Sequence, residues 1–252
     1  MGPDRKINKN GQETGMTPLS GTEFLQDVRR YLVSQSELYG DELYTGDILV
    51  QTSGTSDPES LNKFRENIEN CMQCALSKTR RNFVFGCGNA GANLMLIGEA
   101  PGEDEDKKGE PFVGKAGQLL DKILDSIAFT RDEVFIGNIL KCRPPNNRDP
   151  QPEEVELCLP YLMSQIKIIK PVLILALGRI AAQTLLKTTA SLGQLRGKIH
   201  TFGDASLIVT YHPAALLRNP QWKRAVWEDV QMLRKHYDQT VGDKPKWNPP
   251  KR

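Results

Sequence analysis

Four short apolar runs, interleaved with amphipathic stretches, constrain this chain more than any other feature. The runs are Leu94–Ile97, Val134–Ile139, Val172–Leu177 and Leu207–Thr210, and the amphipathic stretches lie near 115–128, 152–169, 179–187 and 221–237. A strand that is apolar throughout, rather than at alternate positions, must be covered on both faces. Strand–helix alternation supplies that cover, because each crossover helix packs back onto the sheet. The pattern predicts an α/β fold, a three-layer α/β/α domain around a central, mostly parallel four-stranded sheet. No internal repeat is present.

This pattern occupies residues 60–238. Residues 1–59 read as a polar N-terminal extension, with a Gly-rich start expected to be disordered and a linker from Gly40 to Pro58. Between them, a Ser20–Glu23 capping box predicts one helix near 21–37. Residues 239–252 read as a disordered basic tail. Over the 252 residues, 33 Lys and Arg against 31 Asp and Glu give a net charge of +2, which excludes a nucleic-acid binder driven by charge alone. No run reaches the roughly 18 apolar residues of a membrane-spanning helix, and the first twenty residues lack a secretory pattern. The expectation is a cytoplasmic protein in a reducing compartment.

Two glycine-rich segments imitate phosphate loops. Gly86-Cys-Gly-Asn-Ala-Gly91 fits GxGxxG but precedes the first strand, whereas a dinucleotide loop runs from strand into helix. Gly109-Glu-Pro-Phe-Val-Gly-Lys-Ala116 is a P-loop pattern with Ala116 where a magnesium-holding hydroxyl is required. Context argues against both nucleotide readings.

Five cysteines, an odd number in a chain with no export pattern, argue against a disulfide framework. Cys71, Cys74, Cys142 and Cys158 have the spacing C-x2-C-x67-C-x15-C. Zinc ribbons normally supply a second close pair, while iron–sulfur clusters accept four thiolates from separated segments. Spacing alone leaves cluster, zinc and inert thiols all open, with the cluster favoured. Cys87 stands apart and reads as a core thiol.

In a parallel sheet, ligands sit beyond the carboxyl ends of the strands. Those ends carry an acidic loop (Gly98 to Asp106), an amide (Asn138), a helix start (Gly178-Arg179) and an imidazole (His212). Taken singly, each is more often structural. Together on one rim they point to a ligand site. No nucleophile–base pair accompanies them, which disfavours covalent chemistry. An Asn amide offers a donor and an acceptor side by side, suited to a nucleobase edge, and Phe112 could stack on such a base.

These residues carry a resemblance. Gly98-Glu-Ala-Pro-Gly102, Pro111-Phe-Val-Gly-Lys-Ala-Gly-Gln118, Asn138-Ile-Leu-Lys-Cys-Arg-Pro-Pro145 and His212-Pro-Ala-Ala-Leu-Leu-Arg218, with the four cysteines, resemble the family 4 uracil-DNA glycosylases. The resemblance runs from about Cys71 to about Arg234. It implies a monofunctional DNA-repair enzyme that flips uracil out of DNA and hydrolyses its glycosidic bond, with a structural [4Fe–4S] cluster on Cys71, Cys74, Cys142 and Cys158. Phe112 would stack on uracil, Asn138 would read its N3–H and O4 edge, and His212 would face O2. Gly98 and Ala100 would line the substrate, and Glu99 and Glu105 would be the candidates for orienting water or excluding thymine's methyl. Leu216, Leu217 and Arg218 would form the wedge into DNA. Ala100 departs from superfamily branches with Asp or Asn there, and leaves the water without an obvious base. The segment after Asn138 lacks the basic insert of a uracil-crosslinking relative, so no covalent product is expected. The expected partner is uracil-containing DNA, single- or double-stranded, met by a monomer at the nucleoid. The rival readings are a non-catalytic iron–sulfur DNA-binding module of this fold and an electron carrier.

Overall fold

A computed structural model describes residues 58–249. The expectations for the extension, including the helix near 21–37, lie outside them. The first described element is helix α1, Pro58–Ile68. Strands follow at β1 (Cys87–Gly88), β2 (Leu94–Gly98), β3 (Phe135–Asn138), β4 (Leu173–Leu177), β5 (Ile199–Phe202) and β6 (Ala205–Thr210). The main helices between and after them are α2 (Glu103–Lys108), α3 (Lys115–Ser126), α4 (Pro152–Ile169), α5 (Arg179–Leu186), α6 (Leu192–Leu195), α7 (Pro213–Arg218) and α8 (Lys223–Thr240).

The sheet has six strands in the order β1-β3-β2-β4-β6-β5, not four. The central four are parallel, and an antiparallel strand closes each edge. The two additions escaped the sequence pattern for physical reasons. β1 is two residues long, and β5 alternates exposed and half-buried positions, so neither forms an apolar run.

Alternate residues of the central strands enter opposite cores. Met95 and Ile97 join α1, α4 and α5 through Phe64, Leu162 and Leu185. Leu94 and Leu96 join α3 and α8 through Leu120, Leu124, Val230 and Leu233. Burial on both faces is why these strands read as unbroken apolar runs. The chain leaves β2 for β3 on one side and returns to β4 on the other. The strand order therefore reverses at β2, which opens a crevice at the carboxyl ends.

The segment after α8 corrects the expected tail. Trp247 packs edge-on against Trp227 at 5.9 Å, and the Pro245 carbonyl accepts from the buried Arg234 at 2.7 Å. Asp243 accepts from Tyr237 Oη at 3.1 Å and Lys244 pairs with Glu133, so several side chains tie down a stretch whose composition looked unable to pack.

Candidate active site

Gly98 ends β2 and lies beside Asn138, which ends β3. A Cβ at Gly98 would fall 2.4 Å from Asn138 Oδ1 and 2.7 Å from Phe112 Cζ. Only glycine lets the amide and the aromatic ring converge there. Asn138 is 2% exposed, yet its Oδ1 has no hydrogen-bond partner. Leaving a buried acceptor unpaired costs about 1–3 kcal/mol, so this atom fits a site built to receive a donor from a ligand. The backbone behind it is firmly held. The Asn138 carbonyl accepts from Lys141 Nζ at 3.0 Å, Lys141 Nζ donates to Gln165 Oε1 at 2.6 Å, and Gln165 donates onward to the Phe85 carbonyl at 2.9 Å.

Phe112 is buried and takes a left-handed backbone, φ 53°. For a non-glycine residue that conformation costs of order 1–3 kcal/mol and persists only where its surroundings impose it. Its ring lies 5.4 Å from the His212 ring, tilted by 32°. His212 follows β6 and caps α7. The Ala214 N–H can only donate, and it donates to His212 Nδ1 at 3.2 Å, so the ring proton resides on Nε2. Burial, helped by the Arg218 charge, pushes the His212 pKa down to about 4. The imidazole is therefore neutral at physiological pH and presents Nε2–H as a donor.

The two carboxylates expected to position water separate. Burial, reinforced by Asp149 and opposed by Arg179, pushes the Glu99 carboxyl up to about 6. Glu105 is committed to the backbone. One oxygen accepts from Val113 N at 2.9 Å and Gly114 N at 3.0 Å, and the other from Gly102 N at 3.1 Å. It braces the 102 and 113 loops together, so both of its oxygens are already engaged by backbone donors. Ala100 is half-buried and packs against the core.

The four cysteines come from the loop after α1 (Cys71), the turn before Ala75–Lys78 (Cys74), the loop after β3 (Cys142) and α4 (Cys158). Cys142 is influenced by Cys74 and Cys71, and Cys158 by Cys142 and Cys74. Burial is the main cause that raises the Cys142 and Cys158 thiols, the latter to about 11. Three of the sulfurs already receive donors: Cys71 from Tyr161 Oη at 3.2 Å, Cys142 from Arg80 Nη1 at 3.2 Å and Cys158 from Lys141 N at 3.3 Å. Donors aimed at sulfur suit thiolate ligands of a cluster. Among the described residues, no group of three or more His, Cys, Asp or Glu is arranged to hold a metal ion as it stands. Cys87 lies on β1, with its sulfur 3.8 Å from Arg131.

Comparison with known proteins decides the family. The profile of the uracil DNA glycosylase superfamily matches residues 85–231. The type-4 uracil-DNA glycosylase of Archaeoglobus fulgidus is 45% identical over 183 residues, covering 69% of this chain and 92% of that protein. That of Pyrobaculum aerophilum is 47% identical over 181 residues, covering 69% and 92%. That of Thermotoga maritima is 43% identical over 170 residues, covering 66% and 88%. This chain belongs to the type-4 uracil-DNA glycosylase family.

Within this type-4 domain, the helix after His212 divides its residues between core and solvent. Leu216 is 1% exposed and packs in the core with Leu120 and Leu124, so it cannot enter DNA without opening that core. Of the three residues expected to form the wedge, Leu217 and Arg218 are exposed. Sequence reasoning missed Lys141 and Gln165, which hold Asn138 through its carbonyl. The signal available was a lysine flanked by Leu140 and Cys142 in an otherwise apolar stretch.

Proposed function

We propose that this protein is a DNA-repair glycosylase that flips uracil out of DNA and hydrolyses its N-glycosidic bond, leaving an abasic site. The observation that carries the reading is the buried, unpartnered Asn138 Oδ1 beside the Phe112 ring. Uracil offers N3–H to that oxygen and O4 to the amide N–H, while cytosine presents the opposite pattern and would leave both groups unpaired. The target must leave the stack to reach this site. The exposed Leu217 is the side chain available to fill the vacated space, which offsets part of the unstacking cost.

Chemistry then follows from charge. As the C1′–N1 bond breaks, the electron pair stays with uracil and accumulates on O2, while the sugar becomes oxocarbenium-like. Nε2–H of neutral His212 donates to O2, and a preorganised donor acts most strongly where charge develops. Water adds to C1′ and the leaving base takes up a proton. We read Glu99, whose carboxyl is raised to about 6, as the carboxylate that orients that water. A non-catalytic module would have no use for the orphan Oδ1 or for a histidine held as its Nε2–H tautomer.

Cys71, Cys74, Cys142 and Cys158 would hold a [4Fe–4S] cluster whose role is structural, a cross-link between α1, the β3 loop and α4. We read the protein as a monomer acting on single- or double-stranded DNA in a reducing cytoplasm, at the nucleoid. The test is incubation with a uracil-containing oligonucleotide, followed by alkali. Strand cleavage at the uracil supports the glycosylase, whereas salt-sensitive binding without cleavage supports the non-catalytic module.

A further inference from the structure

Arg131 reaches the stacking residue from behind. It opens the short turn Arg131–Glu133 just before β3, far along the chain from the Phe112 loop. Its Nη1 donates to the Phe112 carbonyl at 3.0 Å, and its Nη2 donates to the Pro111 carbonyl at 2.8 Å. Asp121 on α3 anchors the same guanidinium at 2.7 Å. One planar cation thus grips two successive carbonyls of a loop whose second residue has a left-handed backbone, φ 53°. On another side, Gly117 presses on the same carbonyl so closely that a Cβ there would fall 1.8 Å from the Phe112 oxygen.

We propose that Arg131 is the positioning residue for the stacking ring. It touches neither base nor sugar. By fixing the carbonyls of Pro111 and Phe112 it holds Phe112 in a conformation the residue would otherwise leave, and so sets the plane on which an extruded base lies. A lysine could meet only part of this geometry, because an ammonium is a point charge and the two carbonyls require a fork. The proposal rests on the glycosylase reading and deepens it.

A double-mutant cycle separates positioning from general support. Arg131→Met keeps the stem and removes the donors, and Phe112→Ala removes the ring. Single-turnover uracil excision is expected to fall roughly ten- to hundredfold in Arg131→Met, the scale of a group misplaced by about 1 Å. In the Phe112→Ala background the same change should cost less than about twofold, since nothing remains to be positioned. Arg131→Lys should recover part of the loss, and Asp121→Asn, which leaves both carbonyl contacts, should stay near the parent rate. An equal loss in both backgrounds would overturn the proposal. If Arg131→Met does not fold, the same cycle is run with Arg131→Lys. A crystal structure of Arg131→Met gives a readout independent of activity. Departure of Phe112 from its left-handed φ supports the proposal, and retention of that φ overturns it. Absence of excision by the parent protein would instead sink the glycosylase reading, and the crystal structure would still judge the positioning.

Discussion

The strand-end rim, proposed to read the base, and the four-cysteine corner occupy the same domain and are built on opposite principles. At the rim, polar atoms are left waiting. Asn138 Oδ1 is buried without a partner, and the His212 ring lies 5.4 Å from Phe112 with its Nδ1 tied to the backbone. Rigidity there comes from strand ends and from carbonyls held by Lys141 and Arg131. At the corner, three of the sulfurs already receive donors from Tyr161, Arg80 and Lys141, and the cysteines come from one helix and from loops and a turn that no sheet register aligns. On the proposed reading the rim lacks only its ligand, whereas the corner would need a ligand to join its parts. Substitutions at the rim should therefore cost rate, and substitutions at the corner should cost stability.

The largest separation is expected at His212. His212→Ala should lower the single-turnover rate by about 10²–10³, or about 2.7–4 kcal/mol, the usual loss for one charge-stabilising donor. Binding to uracil-containing DNA should hardly change. A binding loss in proportion to the rate loss would make His212 a uniform binding group and erase its distinction from the rest of the rim. Next comes Asn138→Asp, which keeps the shape but replaces the amide donor. A buried mismatch costs about 1–3 kcal/mol, so uracil release should fall roughly 5- to 150-fold. Release at the parent rate would show that Asn138 is not the reader.

At the corner the effect moves to stability. The purified protein should be brown, with broad absorbance near roughly 400 nm. Cys158→Ala should bleach it and lower the melting temperature. A lost long-range cross-link is worth about 2 kcal/mol or more, which in a domain of this size is roughly 4–8 °C. A colourless parent protein with one bound zinc ion would refute the cluster and leave the glycosylase intact.

The smallest effect is in pH. Because the Glu99 carboxyl is raised to about 6, it becomes a carboxylate only as pH rises through that value. His212, lowered to about 4, stays neutral over the same interval. If the Glu99 carboxylate orients water, the excision rate should rise through a single ionisation near pH 6 and then stay level. Glu99→Gln should abolish that rise. A rise that persists in Glu99→Gln would assign it to another group.

The same contrast explains what the sequence disclosed. The parallel strands were legible because burial on both faces makes them continuous apolar runs, and Asn138, Phe112 and His212 were legible through motifs at the strand ends. Side chains that act through backbone groups left no such trace. Glu105 stands in an acidic run that reads as solvated or catalytic, while its partners are the main-chain N–H groups of residues 102, 113 and 114. Arg131 and Lys141 answer to carbonyls, which every residue carries. Leu216 and Leu217 look equivalent in sequence, and only the phase of α7, about 100° per residue, sends one inward and the other out.

The central claim is that the buried Asn138 oxygen is left unpaired for the N3–H of uracil. A crystal structure with free uracil bound tests it most directly. The account predicts the ring on Phe112, N3 within about 2.7–3.2 Å of Asn138 Oδ1, and O2 toward His212 Nε2. Uracil bound elsewhere, or bound here with Oδ1 still unpartnered, would contradict it.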